Sequence, residues 1–244
     1  YTTLFRSLAR LPFVLAAANP DVIHASAQPP RQVLAARAGA ALARTPLVLE
    51  WYGDDGVPET RWTRLAAGRP DGIITPSELV STWTQEIGAD GDIVDIIPNP
   101  IDYDRIQDVD PGEDVDVIYA RRLDDGANLE SLLLGLAELR DRDWQTTVIG
   151  DGPERDAYED LASDLRIDDR VRFVGDLELD ERIAAYRGAH VFAQTAERCV
   201  FPTEMLWALA SGCVGIVEYH ANSSAHELVE GWERGFRTTS EDEL

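Results

Sequence analysis

The sequence predicts an α/β protein built from two doubly wound parallel-sheet domains. Short apolar runs alternate with helical stretches along the whole chain of 244 residues. This alternation is typical of parallel sheets with helices on both faces. Residues 102–116 interrupt the series with a segment that is rich in Asp and Glu and contains one Gly and one Pro, which is the composition of a linker. We therefore expect one domain over residues 1–110 and a second over residues 111–244.

The first domain is predicted from four short apolar runs, each ending near a Gly, a Pro or a polar residue. The predicted strands are residues 21–25, 47–53, 72–77 and 93–100. A helix rich in Ala and Arg follows the first strand to about Ala43, and another helix begins after Ser77. Because crossover helices join parallel strands, these runs indicate one parallel sheet.

The second domain is predicted from a similar series that starts at about Val115. Apolar runs at residues 117–120, 147–150 and 170–175 end in Gly, Asp or Arg, and helical stretches follow them. Their polar residues should therefore lie at the carboxyl ends of parallel strands. Open α/β sheets bind their ligands at that edge.

The chain is strongly acidic, with 45 Asp and Glu residues against 22 basic residues and a formal net charge of -23. All of the basic residues are Arg, and the sequence contains no Lys. Apolar residues still make up 44% of the chain, which indicates a folded protein. Two interpretations stay open: a protein from a salt-accumulating halophile, in which molar salt shortens the Debye length to about 3 Å and screens self-repulsion, or an ordinary acidic bacterial enzyme.

Composition and patterning also exclude several classes of protein. The acidic excess and the lack of a basic stripe argue against nucleic acid as a partner. The sequence has no apolar run of about 18 residues that could span a bilayer, and no signal-peptide pattern. Cys199 and Cys213 do not make a disulfide framework, which favours a reducing cytoplasm.

The order of these signals resembles the nucleotide-sugar half of retaining GT-B glycosyltransferases, the group 1 family of mannosyl- and glucosyltransferases. The segments that carry the resemblance are residues 117–124, 147–153, 170–175, 207–212 and 225–231. The segments 20–25, 71–77 and 98–102 are similar to the amino-terminal half of the same family. Relative to the family, we expect this chain, of haloarchaeal type, to be truncated at both ends.

The resemblance implies a GT-B architecture, in which two Rossmann-like domains face a cleft. The first would be an incomplete acceptor-side domain and the second a nucleotide-sugar donor domain that lacks its last helix. It also implies a hexosyltransferase that retains anomeric configuration and needs no metal and no cofactor. The implied partners are a nucleotide sugar and a glycan or polyprenyl-phosphate-type acceptor. A peripheral membrane contact through the amino-terminal part stays open, and the implied location is the cytoplasm or the inner face of the membrane.

Arg122 matches the family's phosphate-contacting Arg, and the resemblance implies a catalytic role for it. Its planar guanidinium suits phosphate oxygens. The alternative is a surface Arg that pairs with Asp124 or Asp125. One departure stands close by, since the family's nearby Lys is replaced by Ala127.

A tight turn at Gly150, Gly152 and Pro153 would let the backbone come close to the donor nucleotide. The same turn is also compatible with a purely structural strand-to-helix connection. The resemblance further implies that Val174 and Gly175 edge the pocket for the base.

The largest departure from the family concerns two Glu that lie eight positions apart. Their positions are occupied by Cys199 and Trp207, with Phe201 matching the aromatic residue between them. Glu204 could reach a sugar hydroxyl from the same loop, which would make it a second catalytic candidate, or it could be a solvated Glu in the first turn of a helix. Thr203 is a candidate N-cap, and the free amides after it would bind the diphosphate.

Glu227 matches the family's Pro-Glu position, with His226 in place of Pro, and is a candidate donor-binding residue. Together with Glu218 and His220 these residues resemble a metal cluster in composition. Their spacing fits no standard site, so no metal is assigned.

The sequence therefore predicts a glycosyltransferase that moves a hexose from a nucleotide sugar to a lipid-linked or glycan acceptor with retention, in polysaccharide or lipid-linked glycan assembly. The alternative is a non-catalytic sugar-nucleotide-binding or scaffold protein of the same fold. The loss of the Lys and of both Glu favours that alternative.

Overall fold

The computed structural model describes residues 2–51 and 60–239. The chain divides into two compact units, the first over Tyr1–Pro98 and the second over Asn99–Leu244. Each unit has its own parallel sheet, which confirms the predicted α/β fold with two parallel-sheet domains. The end of the predicted strand at residues 52–53 lies outside the described residues.

The sheet of the first unit has four parallel strands in the order β1-β2-β3-β4. The strands are β1 (Ile23–Ser26), β2 (Leu47–Glu50), β3 (Gly72–Thr75) and β4 (Val94–Ile96). The helices are α1 (Thr2–Ala18), α2 (Pro30–Ala43), α3 (Arg61–Ala67) and α4 (Glu78–Glu86). All four strands lie where the apolar runs predicted them, because each run is short and ends at a helix-starting or turn-forming residue. In β2 and β3 the residues are buried alternately.

Helix α1 packs against α2 at a glycine. A Cβ on Gly39 would lie 2.9 Å from the Cβ of Leu15, so this position cannot hold a larger residue without movement of the helices. Helix α1 has 17 residues and contains Pro12. Within residues 2–51 and 60–239, no helix is long and apolar enough to cross a lipid bilayer.

The sheet of the second unit has six parallel strands in the order β12-β10-β8-β5-β6-β7. The strands are β5 (Val115–Ala120), β6 (Thr146–Ile149), β7 (Val171–Gly175), β8 (Ala189–Gln194), β10 (Val214–Glu218) and β12 (Gly235–Thr238). A small parallel ladder joins β9 (Arg198–Cys199) and β11 (Asn222–Ser223). The helices are α5 (Tyr103–Asp108), α6 (Leu129–Glu138), α7 (Arg155–Asp164), α8 (Leu179–Gly188) and α9 (Thr203–Ser211).

This strand order contains a topological switch point. Starting from β5, the chain adds β6 and β7 on one side, then returns and adds β8, β10 and β12 on the other. The connections that leave β5 and β8 therefore diverge, and a crevice opens at the carboxyl ends of these two strands. Ligands of open α/β sheets bind in such a crevice.

Both faces of this sheet are buried. In β5, Ile118 and Ala120 belong to the core that includes Met205 of α9, whereas Tyr119 belongs to the core that includes Leu133 of α6. Successive residues of a strand point to opposite faces of the sheet. When helices cover both faces, the strand is therefore expected to be apolar at nearly every position. The apolar character of β5 and the complete burial of β6 have this cause.

The predicted linker is wrong in its first half. Residues 103–108 form α5, and the buried Ile106 belongs to the core of the second unit. The guanidinium of Arg187 donates to the carbonyl oxygens of Ile106 and Val109, and Arg105 pairs with Asp180 at 2.6 Å. The units consequently divide between residues 98 and 99, earlier than the predicted division at 110/111. The acidic residues cover the exposed side of α5, which gave this helix the composition of a linker.

Candidate functional site

The turns that follow β5 and β6 are in direct backbone contact. Gly150 has φ +122°, and a Cβ at this position would lie 1.9 Å from the carbonyl oxygen of Arg121. A Cβ on Gly152 would lie 2.1 Å from the carbonyl oxygen of Leu123. The amide of Leu123 donates to the carbonyl oxygen of Asp151 at 3.0 Å. The close approach of the neighbouring turn therefore requires glycine at both positions. Whether these glycines also contact a nucleotide stays a prediction.

The end of β7 is tied to the same group of turns. The amide of Gly150 donates to the carbonyl oxygen of Gly175 at 2.8 Å, and Gly175 has φ +75°. Val174, predicted to edge the base pocket, is half-buried and packs against the core. Pro153 is exposed just before α7. The structure thus brings the five residues predicted at the ends of β6 and β7 to one edge of the sheet.

Arg122 is exposed directly after β5, and among the described residues its guanidinium has no hydrogen-bond or ion-pair partner. Asp124 pairs instead with Arg121, at 3.6 Å. The alternative in which Arg122 pairs with Asp124 is therefore wrong. The two arginines differ because Arg121 also donates to the carbonyl oxygen of Arg198 at 2.8 Å, which holds it on the β8 side of the crevice. Arg122 is left available to an anion at the switch point.

Four polar residues join the loops after β5, β8 and β10, and we call them the switch-point cluster: Asn128, Thr195, Glu218 and His220. The Asn128 side-chain amide donates to the carbonyl oxygen of Thr195 at 3.0 Å, and the Thr195 hydroxyl donates to the carbonyl oxygen of Asn128 at 2.6 Å. Asn128 adopts a left-handed conformation, with φ 50°, which Asn tolerates better than most residues. These two bonds cross the crevice between β5 and β8.

Glu218 is the last residue of β10 and lies on the other side of Asn128. Its Oε2 accepts from the Asn128 amide at 3.2 Å, and its Oε1 lies 3.5 Å from Nε2 of His220. The side chain of Glu218 is only 9% exposed, compared with 24% for His220. The cluster therefore contains a nearly buried carboxylate beside a partly exposed imidazole.

The segment that replaces the family's two Glu presents little polar chemistry. Trp207 is 8% exposed and belongs to the apolar core, so it cannot take over a hydroxyl contact without moving. Cys199 is in β9, and Phe201 is half-buried. The predicted N-cap is wrong by one residue, because Thr203 is the first residue of α9 and Pro202 occupies the N-cap position without a side-chain cap hydrogen bond. The Thr203 hydroxyl accepts from the Asn99 side-chain amide at 3.1 Å.

Glu204 is held by two neighbouring side chains. One of its carboxylate oxygens accepts from the Tyr186 hydroxyl at 2.5 Å, and the other lies 3.3 Å from Arg182. Burial, together with the negative charge of Glu204, raises the pKa of Tyr186 well above its ordinary value, so the phenol stays a donor. These contacts place Glu204 between α8 and α9 and indicate a structural role rather than a freely solvated Glu. Its catalytic role stays a prediction.

Replacement of Glu204 should therefore affect stability and not turnover. Glu204→Ala leaves the buried Tyr186 hydroxyl without an acceptor, and we expect the free energy of unfolding to fall by about 1 to 3 kcal/mol. Glu204→Gln keeps an acceptor and should cost less. Denaturant unfolding of both variants measures this difference. A loss of kcat of tenfold or more in Glu204→Gln, with stability unchanged, would restore the catalytic role.

Glu227 lies in a single helical turn, Ala225–Leu228, and is half-buried. The Ser224 amide before this turn donates to the carbonyl oxygen of Cys199 at 2.8 Å, and Nδ1 of His226 lies 3.1 Å from the carbonyl oxygen of Ser223. The turn is thus fastened to the β9 loop. In the part of the chain that the structure describes, no three His, Cys, Asp or Glu side chains are grouped so as to hold a metal ion.

Sequence reasoning missed the switch-point cluster as a unit. Asn128 and Thr195 carry no motif in the sequence, and Glu218 and His220 stand out there only as possible metal ligands. A usable signal was present, because Thr195 and Glu218 both stand at the carboxyl end of an apolar run.

Two parallel-sheet units, with a switch point at the carboxyl edge of the second, define an α/β protein of the GT-B type. The chain belongs to the glycosyl transferases group 1 family, whose family model matches residues 102–243. The model of glycosyltransferase family 4 matches residues 1–105. Family membership rests on these matches, which together cover almost the whole chain.

A curated relative and several solved structures are similar to the chain. The 2-deoxystreptamine glucosyltransferase of Streptomyces kanamyceticus is 31% identical over 134 residues, which are 48% of this chain and 35% of that protein. A structure of HepE from Anabaena with UDP is 20% identical with a TM-score of 0.78, over 96% of this chain and 70% of that one. A glycosyltransferase from Rickettsia africae is 14% identical with a TM-score of 0.81, over 98% and 68% of the two chains. At these identities the solved structures show the fold alone.

Proposed function

We propose that the protein is a glycosyltransferase that moves a hexose from a nucleotide-sugar donor to a lipid-linked or glycan acceptor with retention. The observation that carries the proposal is the exposed guanidinium of Arg122 at the switch point, beside the turn of Gly150 and Gly152. A guanidinium that has no partner among the described residues, at that edge of the sheet, is suited to a diphosphate. The donor would be a substrate, and neither a metal nor another cofactor is part of the proposal.

The proposed chemistry depends on stabilising the leaving group. Negative charge grows on the diphosphate as the glycosidic bond breaks, and a positioned guanidinium lowers the energy of that transition state. Arg122 would be the main cation, since Ala127 occupies the position of the family's Lys. UDP and glucose are bound by HepE in related structures, and this supports a nucleotide sugar as the donor class. We place the reaction in the cytoplasm or at the inner face of the membrane.

The second candidate is a non-catalytic protein that binds sugar nucleotides. It is favoured by the apolar residues Cys199 and Trp207 at the two carboxylate positions and by the loss of the Lys at Ala127. The two candidates predict the same binding and different turnover. Donor hydrolysis and transfer to a panel of polyprenyl phosphates and glycolipids should be measured at molar salt, with and without EDTA. Binding of a nucleotide sugar by calorimetry with no turnover of any donor would favour the non-catalytic protein.

We also propose that the protein works at high salt. The charge of -23 destabilises the compact state through self-repulsion, and molar salt screens that repulsion over about 3 Å. The melting temperature should therefore rise from dilute buffer to molar potassium chloride. A melting temperature that is the same in both solutions would contradict a halophilic origin and favour an ordinary acidic enzyme.

A further inference from the structure

Glu218 is a nearly buried carboxylate that the apolar packing of the second unit does not require. It ends β10, where an apolar residue would fill the same space without desolvating a charge. The described contacts to its side chain come from Asn128, at 3.2 Å, and from His220, at 3.5 Å. A carboxylate has about four acceptor positions, so these two contacts leave it able to accept further hydrogen bonds.

The position of Glu218 along the sheet edge indicates which part of a donor it would meet. The edge runs in the order β7, β6, β5, β8, β10, with neighbouring strands about 4.8 Å apart. If the base lies near Gly175 of β7 and the diphosphate near Arg122 after β5, the next group along the donor lies over β8 and β10. That group is the sugar.

The charge of Glu218 is consistent with this order. A carboxylate repels a diphosphate and so excludes it from the β10 end of the crevice. Sugar hydroxyls are neutral donors, and a carboxylate that accepts from them is a strong recognition element. Asn128 and His220 each contact one oxygen of the carboxylate, and their side-chain nitrogens lie 3.4 Å apart, so the two residues together fix its direction.

We infer that Glu218, held by Asn128 and His220, binds hydroxyls of the transferred sugar. This inference rests on the proposed function. In this assignment the carboxylate comes from the end of β10 and replaces the one that the family places in the segment now occupied by Cys199. Specificity among donor sugars is then set by the switch-point cluster.

The test compares nucleotide sugars with the matching nucleoside diphosphates. Calorimetry with the full chain at molar salt would measure the affinities of UDP, UDP-glucose, GDP and GDP-mannose. Glu218→Gln keeps the size of the side chain and removes its charge. We expect the affinity of this variant for the nucleotide sugar that the wild type binds to fall by about 10- to 100-fold. Its affinity for the matching nucleoside diphosphate should fall by less than about twofold. The exposed Glu233 gives a matched control, because Glu233→Gln should change neither affinity.

The outcomes separate this inference from the proposed function. Equal losses of affinity for the nucleotide sugar and the diphosphate, or no loss for either, would overturn the role of Glu218. The proposed glycosyltransferase function would not be affected by that result. A wild type that binds none of the four ligands would overturn both. If Glu218→Gln does not fold, His220→Ala replaces it, since His220 is partly exposed. The expected result is then the same selective loss, about threefold or more, and its absence would count against the inference.

Discussion

Arg122→Ala should lower kcat by about 30- to 1,000-fold, while the affinity for the donor falls much less. Such a loss corresponds to about 2 to 4 kcal/mol of transition-state stabilisation. The reason is that the guanidinium is exposed, without a described partner, at the point where charge would grow on the leaving diphosphate. Steady-state turnover and calorimetric donor binding, measured on the same preparations, separate the two effects.

A second arginine provides the control for that experiment. Arg172 is also exposed and makes a surface ion pair with Glu113 at 2.6 Å, but it lies on β7, away from the crevice. Arg172→Ala should leave kcat within about twofold, since exposed ion pairs contribute only about 0 to 1 kcal/mol. If Arg122→Ala left turnover unchanged, Arg122 would not be part of the catalytic site, while the proposed enzymatic activity would stand.

Gly150→Ala should lower the free energy of unfolding by about 2 to 6 kcal/mol. The new Cβ would meet the carbonyl oxygen of Arg121 at 1.9 Å, and the residue would have to keep φ +122°. Left-handed strain and overpacking each cost about 1 to 3 kcal/mol. Chemical unfolding at molar salt gives the free energy directly.

Gly126→Ala is the matched substitution in the same group of turns. A Cβ at Gly126 would lie 3.6 Å from its nearest side-chain neighbours, Arg121 and Asp124, which is ordinary contact. We expect a change within about 0.5 kcal/mol. If the two glycine variants unfolded at the same denaturant concentration, the result would contradict the close contact between the turns after β5 and β6.

Much of the fold could be predicted, because its signals are local. Strands such as β2 and β3 are short apolar runs with clear ends, and such runs are visible without knowledge of the partner strand. Helix α5 could not be predicted in this way. Its packing is shown by neighbours such as Arg187 and Asp180, which are more than 70 residues away in the sequence.

The site was predictable only where backbone geometry constrains the residue type. Gly150 and Gly152 stand out because no other residue fits, whatever the ligand. The pairing of Glu204 with Tyr186 depends on how α8 and α9 pack, and a Glu near a helix start carries no sign of it. The switch-point cluster assembles from three strand ends, so its residues become neighbours only after the strand order is known.

The packing of α5 also decides where the two halves of this protein can be separated. A shortened chain that begins at Pro111 would lose Ile106 from the core and leave the Arg187 guanidinium without its carbonyl acceptors. A chain that begins at Asn99 keeps both, together with the bond from Asn99 to Thr203. Domain exchange between relatives of this family should therefore use a junction ahead of Asn99, so that each donor half carries its own α5.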